Sequence, residues 1–297
     1  MYDLIVIGAG PAGLSAAIYA RRFLMKTLVI GQLVGGLITT AGVVENWPGE
    51  VSITGVNLMK RVEAHARSFN AELIGDKVVS VKRLINGFSV KSSRGSFRAK
   101  CLVFATGAEH RKLGVPGEGK YFGRGVSYCA ACDGLFFKDQ VVAVIGGSDT
   151  AAKEALLLTQ FAKRVYIIYR GERIHPEPVT LERVRANKKI KVINNAKIVE
   201  VVGDERQVSG VRLDTGRLLR LGGVFVAIGL IPRTELAASL GVKLNKSGEI
   251  IVDKFLRTSV PGVFAAGDCT NGPFKQAITG AADGVIAAYS AYDYLNT

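Results

Sequence analysis

The stretch Tyr2-Asp3-Leu4-Ile5-Val6-Ile7-Gly8-Ala9-Gly10-Pro11-Ala12-Gly13 decides the fold of this chain. Its apolar first half predicts a strand that is buried on both faces of a parallel sheet. In the pattern Gly8-x-Gly10-x-x-Gly13, the first glycine permits a tight turn and the second lets the backbone approach a pyrophosphate. The third glycine lets the following helix pack closely on the strand. Because the pattern lies between a strand and a helix-like stretch, it predicts a dinucleotide-binding βαβ unit.

The same pattern occurs again in the second half of the chain. An apolar run at 141–145 leads into Gly146-Gly147-Ser148-Asp149-Thr150-Ala151 and a second helix-like stretch. Each unit is followed by a strand that ends in a short glycine motif, Ala105-Thr106-Gly107 in the first case and Ala227-Ile228-Gly229 in the second. The duplication predicts an α/β fold with two Rossmann-like, three-layer nucleotide-binding domains.

Glycine- and proline-rich joints set the predicted domain limits. One joint is Leu113-Gly114-Val115-Pro116-Gly117-Glu118-Gly119, and the other is Asn245-Lys246-Ser247-Gly248. The sequence after the second joint returns to strand-like and helix-like patterns. We therefore expect residues 1–114 and 246–297 to form a discontinuous first domain, with the second domain, residues 115–245, inserted into it.

Between the two glycine turns lies Cys129-Ala130-Ala131-Cys132-Asp133. A CxxC motif places two thiols within reach of one disulfide, and such a pair exchanges electrons with other dithiols. Zinc sites also use this motif but need four ligands, and the only other cysteines, Cys101 and Cys269, stand alone. The sequence therefore predicts no metal site. Two nucleotide turns and a redox-type CxxC indicate a flavin-dependent disulfide reductase.

The composition limits the expected cellular location and the expected binding partners of the protein. No apolar run reaches the ~18 residues that a membrane span requires, and the cysteine usage favours a reducing, cytoplasmic location. The 39 Lys and Arg residues against 25 Asp and Glu give a net charge of +14. These charges are scattered along the chain, so we expect a solvated basic surface or the steering of an acidic protein partner. Nucleic acid is not an expected partner, because its binding needs clustered charge.

Taken together, these motifs resemble those of the low-molecular-weight thioredoxin reductases, from one end of the chain to the other. Further segments that carry the resemblance are Gly35-Gly36, Val44-Glu45-Asn46-Trp47-Pro48-Gly49, Ser127-Tyr128-Cys129-Ala130-Ala131-Cys132-Asp133-Gly134 and Thr258-Ser259-Val260-Pro261-Gly262-Val263-Phe264-Ala265-Ala266-Gly267-Asp268. The resemblance implies FAD in the first domain and a pyridine nucleotide, NADPH or NADH, in the second. The residues implied for FAD are Gly8, Gly10, Pro11, Ala12, Gly13, Gly31, Gly35, Gly36, Leu37, Asn46, Ala105, Thr106, Gly107, Gly267, Asp268, Lys275, Gln276 and Ala277. Those implied for the pyridine nucleotide are Gly146, Gly147, Ser148, Asp149, Thr150, Arg170, Arg173 and Gly229.

The resemblance also implies the reaction. Electrons pass through FAD to the Cys129–Cys132 disulfide and then to a thioredoxin-like protein. By the family pattern Cys132 lies nearer the flavin and Cys129 attacks the incoming disulfide. Asp133 donates or accepts the proton, or is a turn residue only. A homodimer is implied as well.

Several residues depart from the family pattern. Ser148 stands where the second nucleotide turn should carry glycine, and its side chain is expected to obstruct a pyrophosphate. The basic run that would hold the 2′-phosphate of NADPH is reduced to Arg170, with Gly171 and His175 at the other arginine positions and Arg173 nearby. The electron donor therefore stays open between NADPH, NADH, ferredoxin and a reduced deazaflavin.

Two departures concern the flavin, for Leu37 replaces a glutamine and Lys275 an arginine. Since lysine lacks the bidentate geometry of arginine, we expect FAD to bind less tightly.

Two other functions remain open alongside the reductase. One is a small-molecule dithiol oxidase of the same fold that passes electrons to oxygen, and the other is a non-enzymatic flavin redox sensor.

Overall fold

The computed structural model describes residues 1–40 and 43–297. The chain forms two compact units. The first contains Met1–Thr39, Val43–Glu109 and Ile231–Thr297, and His110–Leu230 makes up the body of the second. The second unit is thus an insertion in the first.

The chain returns to the first unit earlier than the sequence predicts, after Leu230 and not after residue 245. The cause is apolar packing of the intervening segment. Ala237 and Val242 are fully or almost fully buried in the core of the first unit, and Leu236 and Leu240 pack against the same cluster. The Asn245–Gly248 joint is a turn within that unit, since the Asn245 side chain accepts hydrogen bonds from the backbone of Ser247 and Glu249.

In chain order the strands of the described residues are β1 (Tyr2–Ile7), β2 (Thr27–Ile30), β3 (Val43–Val44), β4 (Ile53–Thr54), β5 (Glu72–Ile74), β6 (Val78–Leu84), β7 (Gly87–Ser92), β8 (Gly95–Phe104), β9 (Ala108–His110), β10 (Val126–Ser127), β11 (Val141–Ile145), β12 (Arg164–Ile168), β13 (Ile190–Ile193), β14 (Ile198–Gly203), β15 (Val208–Leu213), β16 (Leu218–Arg220), β17 (Gly223–Val226), β18 (Leu230–Pro232) and β19 (Val263–Ala265). The α-helices are α1 (Pro11–Arg22), α2 (Gly55–Ser68), α3 (Ala130–Asp133), α4 (Asp149–Leu158), α5 (Pro178–Ala186), α6 (Glu235–Ala238) and α7 (Ala277–Asn296). Short 3-10 helices cover Gly36–Thr40, Gly134–Phe137 and Gly267–Cys269.

The main sheet of the first unit has the order β5-β2-β1-β8-β7-β6, and β19 also pairs with β8. Strands β5, β2, β1, β8 and β19 are parallel, whereas β6, β7 and β8 form an antiparallel meander. One face of the sheet packs against α1 and α7 in a buried apolar cluster. Gly284 lets these two helices approach closely, since a Cβ there would lie 2.0 Å from the Ala12 carbonyl oxygen. On the other face, the parallel strands share a second buried apolar cluster with the meander strands β6 and β7 and with the 236–244 segment.

The second unit repeats this arrangement on a smaller scale. Its main sheet is parallel throughout, with the order β10-β17-β11-β12-β13. Helices α3 and α4 belong to the apolar cluster on one face of the sheet, and the antiparallel β14-β15-β16 sheet belongs to the cluster on the other. Both units are therefore three-layer, Rossmann-like α/β structures, as the duplication in the sequence predicts.

Candidate functional site

Cys129 and Cys132 form a disulfide in the second unit, with their Cα atoms 5.4 Å apart. Helix α3 begins directly after Cys129, so the two sulfur-bearing residues belong to one short helical turn. The backbone N–H of Cys132 donates a 3.0 Å hydrogen bond to the Cys129 Sγ. Cys129 is half-buried and Cys132 is exposed. The pair is thus fixed by local backbone structure while one of its residues meets solvent.

Ser127 joins the disulfide to the neighbouring acid. This buried serine ends β10, and its hydroxyl oxygen accepts a 3.0 Å hydrogen bond from the N–H of Cys129. The same hydroxyl donates to the Asp133 Oδ2 over 2.6 Å. Ser127 therefore orients Asp133 beside the redox pair. The sequence prediction did not single out this role, although a serine two residues before the first cysteine could have suggested it.

A pair of large apolar side chains follows the disulfide along the chain. Leu135 is 63% exposed and Phe136 is 76% exposed. The next residue, Phe137, is buried, and its ring packs edge-on against Phe225 at 5.2 Å. The Leu135–Phe136 pair is therefore presented to solvent by a firmly anchored turn.

The first glycine turn has the geometry that a dinucleotide requires. Gly8 has φ +115°, and a Cβ there would lie 2.0 Å from the carbonyl oxygen of Ala105. A Cβ at Gly13 would lie 1.9 Å from the Gly8 oxygen, so this glycine permits the close packing of helix on strand. At Gly10 the nearest atom would be the Gly36 Cα at 3.8 Å. Space is therefore left open at Gly10 itself, where the backbone meets a pyrophosphate in such folds.

The N-terminus of α1 adds to this fit. Pro11 and Ala12 open the helix, its first turn contains no acidic residue, and the Gly10 cap supplies no side-chain hydrogen bond. The backbone N–H groups of such a turn favour a bound anion. Gly35 is attached to the turn by a 2.7 Å hydrogen bond from its N–H to the Ala9 oxygen. The residues present therefore fit the pyrophosphate of FAD.

Other residues predicted for FAD lie at the ends of strands in the same unit. Gly31 follows β2, and Leu37 lies in the 3-10 helix after Gly35 and Gly36. Ala105, Thr106 and Gly107 follow β8, where the Thr106 hydroxyl donates to the Arg233 oxygen over 2.5 Å. Asn46 Nδ2 donates to the Gln276 Oε1 over 3.0 Å, and Gln276 is the N-cap of α7, whose first residue is Ala277.

Asp268 lies in the 3-10 helix that starts at Gly267. Burial raises the pKa of its carboxyl, and the charge of Lys275 opposes that shift. Lys275 forms a 3.0 Å ion pair with Glu249 and donates to the Thr270 carbonyl oxygen. The Lys275 ammonium group therefore already binds several protein oxygens. A side chain reserved for a ligand would not have these contacts.

The second glycine turn repeats the main contact of the first. Gly146 has φ +145°, and a Cβ there would lie 2.1 Å from the Ala227 oxygen. Ser148, the N-cap of α4, has φ −79° and ψ 176°, close to the −81° and −171° of Gly10. Any residue adopts this backbone conformation, so the obstacle expected from Ser148 is limited to its side chain and involves no backbone strain.

Residues around the second turn are crowded by one aromatic ring. A Cβ at Gly147 would lie 2.5 Å from the ring of Tyr169, and one at Gly171 would lie 2.6 Å from the same ring. Tyr169 also contacts the ring of His175, with a centroid distance of 5.5 Å. The ring thus occupies the space beside the turn, a contact that the sequence did not reveal.

The polar residues predicted for the pyridine nucleotide surround this turn. Asp149 pairs with Lys153 at 2.6 Å and accepts from the Glu177 N–H, while Thr150 is exposed in the first turn of α4. Arg170 and Arg173 are exposed, and neither forms an ion pair with a residue that the structure describes. Gly229 lies just before β18.

The remaining two cysteines lie in the first unit. Cys101 and Cys269 are both fully buried free thiols. Burial raises the pKa of Cys101 to about 12 and also raises that of Cys269, so neither forms a thiolate near neutral pH. Among residues 1–40 and 43–297 no group of three or more His, Cys, Asp and Glu side chains is arranged to hold a metal ion. No helix in these ranges is long and apolar enough to cross a membrane.

Comparisons with known proteins relate the whole chain to one family. The sequence profile of the pyridine nucleotide-disulphide oxidoreductase family matches residues 2–284. A thioredoxin reductase of Listeria innocua is 39% identical over 99% of this chain and 94% of its own length. The crystal structure of Lactococcus lactis thioredoxin reductase (FR conformation) superposes with a TM-score of 0.96 and 36% identity, covering 100% of this chain and 99% of the other. A ferredoxin-flavin thioredoxin reductase from Clostridium acetobutylicum is 30% identical with a TM-score of 0.54, covering 99% and 98% of the two chains.

The chain belongs to the pyridine nucleotide-disulphide oxidoreductase family. It is an FAD-dependent disulfide oxidoreductase, and its redox-active disulfide is the Cys129–Cys132 pair.

Proposed function

We propose that this enzyme reduces the disulfide of a thioredoxin-like protein with electrons that reach Cys129 and Cys132 through FAD. The observation that carries the proposal is a partly exposed disulfide with an exposed apolar pair beside it, in a chain with two nucleotide-type turns. The names of the relatives in Listeria and Lactococcus point to the same substrate. Neither the oxidase nor the sensor alternative gains support from these observations.

The proposed reaction first reduces the enzyme disulfide and then transfers the two electrons to the partner disulfide. Reduced FAD, when bound at the first glycine turn, would supply two electrons as a pair to the disulfide. The Cys129–Cys132 bond breaks, and the two sulfurs take up these electrons with two protons. Cys129 then attacks the partner's disulfide to form a mixed disulfide, and attack by Cys132 releases the partner as a dithiol and restores the Cys129–Cys132 bond.

Asp133 has the proton-handling role in this scheme. Proton transfer by a positioned carboxyl is a recognised contribution to such exchange. Its support is the Ser127 hydroxyl, which holds the Asp133 Oδ2 at 2.6 Å and the Cys129 backbone at 3.0 Å. A simple turn residue would not need this link to the backbone of the attacking cysteine.

A protein substrate explains the Leu135–Phe136 pair. Large exposed side chains cost hydrophobic free energy unless a partner covers them. The net charge of +14 would further steer an acidic partner to this enzyme, an effect that salt weakens. We therefore place the docking of the thioredoxin-like protein at Leu135 and Phe136.

We propose that NADPH is a weak donor for this enzyme. Arg170 and Arg173 are the cations available to a 2′-phosphate, while Gly171 and His175 lack the arginine charge. A charged hydrogen bond contributes about 1.5–3 kcal/mol, so the loss of two would weaken NADPH by roughly two to four powers of ten. An acidic ferredoxin is the second candidate donor. It suits the positive net charge, and a relative in Clostridium acetobutylicum carries ferredoxin in its name.

Anaerobic titration of the flavoprotein tests the donor. If NADPH and NADH bleach the flavin only at millimolar concentration while reduced ferredoxin bleaches it stoichiometrically, the proposal holds. Bleaching by micromolar NADPH would overturn it. Sedimentation of the same preparation checks the predicted homodimer, and the predicted cytoplasmic location can be checked by cell fractionation.

A further inference from the structure

Glu118 is the one charged side chain that is almost fully buried among the residues that the structure describes, with 5% of its surface exposed. It belongs to the second unit and has no role in the reaction proposed above. Burying a carboxylate costs free energy unless hydrogen bonds replace its contacts with water. The groups that donate to Glu118 therefore indicate what this side chain holds in place.

Three donors bind the Glu118 carboxylate. Its Oε1 accepts a 2.7 Å hydrogen bond from the backbone N–H of Leu113 and a 2.6 Å hydrogen bond from the hydroxyl of Tyr128. Its Oε2 accepts a 2.8 Å hydrogen bond from the backbone N–H of Gly114. Burial, the hydrogen bond and the charge of Glu118 raise the pKa of the Tyr128 phenol above its usual range. Tyr128 therefore remains a donor to Glu118 at neutral pH.

The backbone around Glu118 is itself fixed on β14. Gly117 has φ +86°, and a Cβ there would lie 2.0 Å from the carbonyl oxygen of Val201. The backbone N–H of Val201 donates a 2.9 Å hydrogen bond to the carbonyl oxygen of Pro116. The turn that carries Glu118 is thus packed closely against a strand of the second unit. The Tyr128 hydroxyl therefore meets an acceptor that has a defined position.

Tyr128 is the residue directly before Cys129, the cysteine to which the proposed reaction assigns the attack. Its other neighbour is Ser127, whose hydroxyl accepts a 3.0 Å hydrogen bond from the backbone N–H of Cys129. The Tyr128 ring also contacts the rings of Phe122 and His110, with centroid distances of 5.7 Å and 5.8 Å. None of these contacts depends on the bond between the two sulfurs. They can therefore restrain the backbone at Cys129 after the disulfide is reduced.

We propose that Glu118 and Tyr128 are positioning residues for Cys129: the hydrogen bond between their side chains holds the backbone of the reduced cysteine where it can meet Cys132. The proposal rests on the dithiol chemistry proposed above. A cysteine that is held in place loses less conformational entropy when the disulfide closes, so the disulfide is favoured. Loss of the hydrogen bond should therefore make the Cys129–Cys132 disulfide easier to reduce.

Anaerobic equilibration of the flavin-loaded enzyme with glutathione tests this role. Two glutathione thiols reduce the Cys129–Cys132 bond and become one glutathione disulfide, so the reduced fraction of the pair reports the stability of the bond. In Tyr128→Phe at pH 7, the ratio of reduced to oxidised pair in a given glutathione mixture should be about three- to tenfold higher than in the wild type. Acid quenching, alkylation and mass spectrometry measure this ratio. An unchanged ratio would overturn the proposal.

Tyr121→Phe is the matched control for a general loss of stability. Tyr121 is a buried tyrosine of the same unit, and its hydroxyl donates a 3.1 Å hydrogen bond to the carbonyl oxygen of Asp204. Both variants lose one tyrosine hydrogen bond and should unfold at a lower temperature than the wild type. Only Tyr128→Phe should shift the equilibrium with glutathione. Equal shifts in the two variants would contradict the positioning role.

A double variant tests whether Tyr128 acts through Glu118. In Glu118→Ala the acceptor is absent, so adding Tyr128→Phe should change the glutathione equilibrium by less than about twofold. A full effect of Tyr128→Phe in that background would contradict the role of Glu118. If Glu118→Ala does not fold, the comparison of Tyr128→Phe with Tyr121→Phe still decides the proposal. Since glutathione replaces the protein partner, a wild type that fails to reduce thioredoxin would refute the proposed function and leave this comparison valid.

Discussion

The Ser127 hydroxyl donates a 2.6 Å hydrogen bond to Asp133 and accepts one from the backbone of Cys129. One buried side chain therefore links the acid to the first of the two redox cysteines. The arrangement holds Asp133 in a defined position before any partner arrives, which is the condition for efficient proton transfer.

Replacement of this acid tests the proton-handling role. In Asp133→Asn the side chain keeps its shape but cannot exchange a proton at neutral pH. The rate at which the pre-reduced enzyme reduces thioredoxin should fall by about 100-fold or more. Single-turnover stopped-flow measurement gives this rate directly. Asp139→Asn, an exposed change nearby, serves as the control, and an unaltered rate in Asp133→Asn would assign Asp133 a turn role only.

The Leu135–Phe136 pair is expected to govern the affinity for the protein substrate. Phe136→Ser removes a large exposed ring, so the KM for thioredoxin should rise by about tenfold. Reduction of a small aromatic disulfide should stay unchanged, because that substrate needs no docking surface. Leu218→Ser, at another exposed leucine of the second unit, is the matched control. Equal losses with both substrates would place the effect of Phe136 on the disulfide and not on docking.

Alanine substitutions at Gly8 and Gly10 are expected to have different effects. A Cβ at Gly8 would lie 2.0 Å from Ala105, so Gly8→Ala should destabilise the first unit. At Gly10 the nearest protein atom would be 3.8 Å away, and Gly10→Ala should fold normally. It should nevertheless lose FAD affinity by about tenfold or more, since the added methyl group occupies the space for the pyrophosphate.

Flavin absorbance and thermal unfolding separate these two effects. Gly75→Ala is the control for both measurements, because no protein atom lies within 4 Å of the added Cβ. If Gly10→Ala bound FAD as tightly as the wild type, the pyrophosphate would have to lie elsewhere.

The stability of the enzyme should depend on Glu154 and on pH. Burial raises the pKa of this carboxyl from 4.5 to about 8 in the folded chain. The unfolded chain therefore releases the proton first, and the wild type loses stability relative to Glu154→Gln as pH rises from about 4.5 to 8. The difference should be near zero at pH 4 and about 4 kcal/mol at pH 8. Urea unfolding at a series of pH values measures it, and a difference that does not grow with pH would contradict this account.

The fold could be predicted from the sequence because glycine marks positions where a side chain would clash with the neighbouring backbone. Gly8 meets the Ala105 oxygen and Gly146 meets the Ala227 oxygen in the same way, so one local pattern revealed both units. The CxxC motif was equally visible, since its two cysteines are neighbours in sequence. These features depend on contacts that a short stretch of chain encodes.

Contacts between distant segments could not be predicted in this way. The segment after Leu230 joins the first unit through apolar packing, which no local joint signalled. Tyr169 fills the space beside Gly147, and packing around α4 buries the Oε2 atom of Glu154. Each of these contacts depends on how elements pack together, and each adjusts the site without altering the motif that marks it.

Electron transfer through Cys129 is the central claim, and one measurement tests it most directly. Flavin-loaded enzyme is reduced anaerobically with dithionite, freed of excess reductant and mixed with oxidised bacterial thioredoxin, while flavin colour and thioredoxin thiols are followed together. We predict that thioredoxin thiols appear as the yellow colour returns in the wild type, and that Cys129→Ser yields no thioredoxin thiols. Equal reduction of thioredoxin by Cys129→Ser, or return of the colour without new thiols in the wild type, would contradict the account.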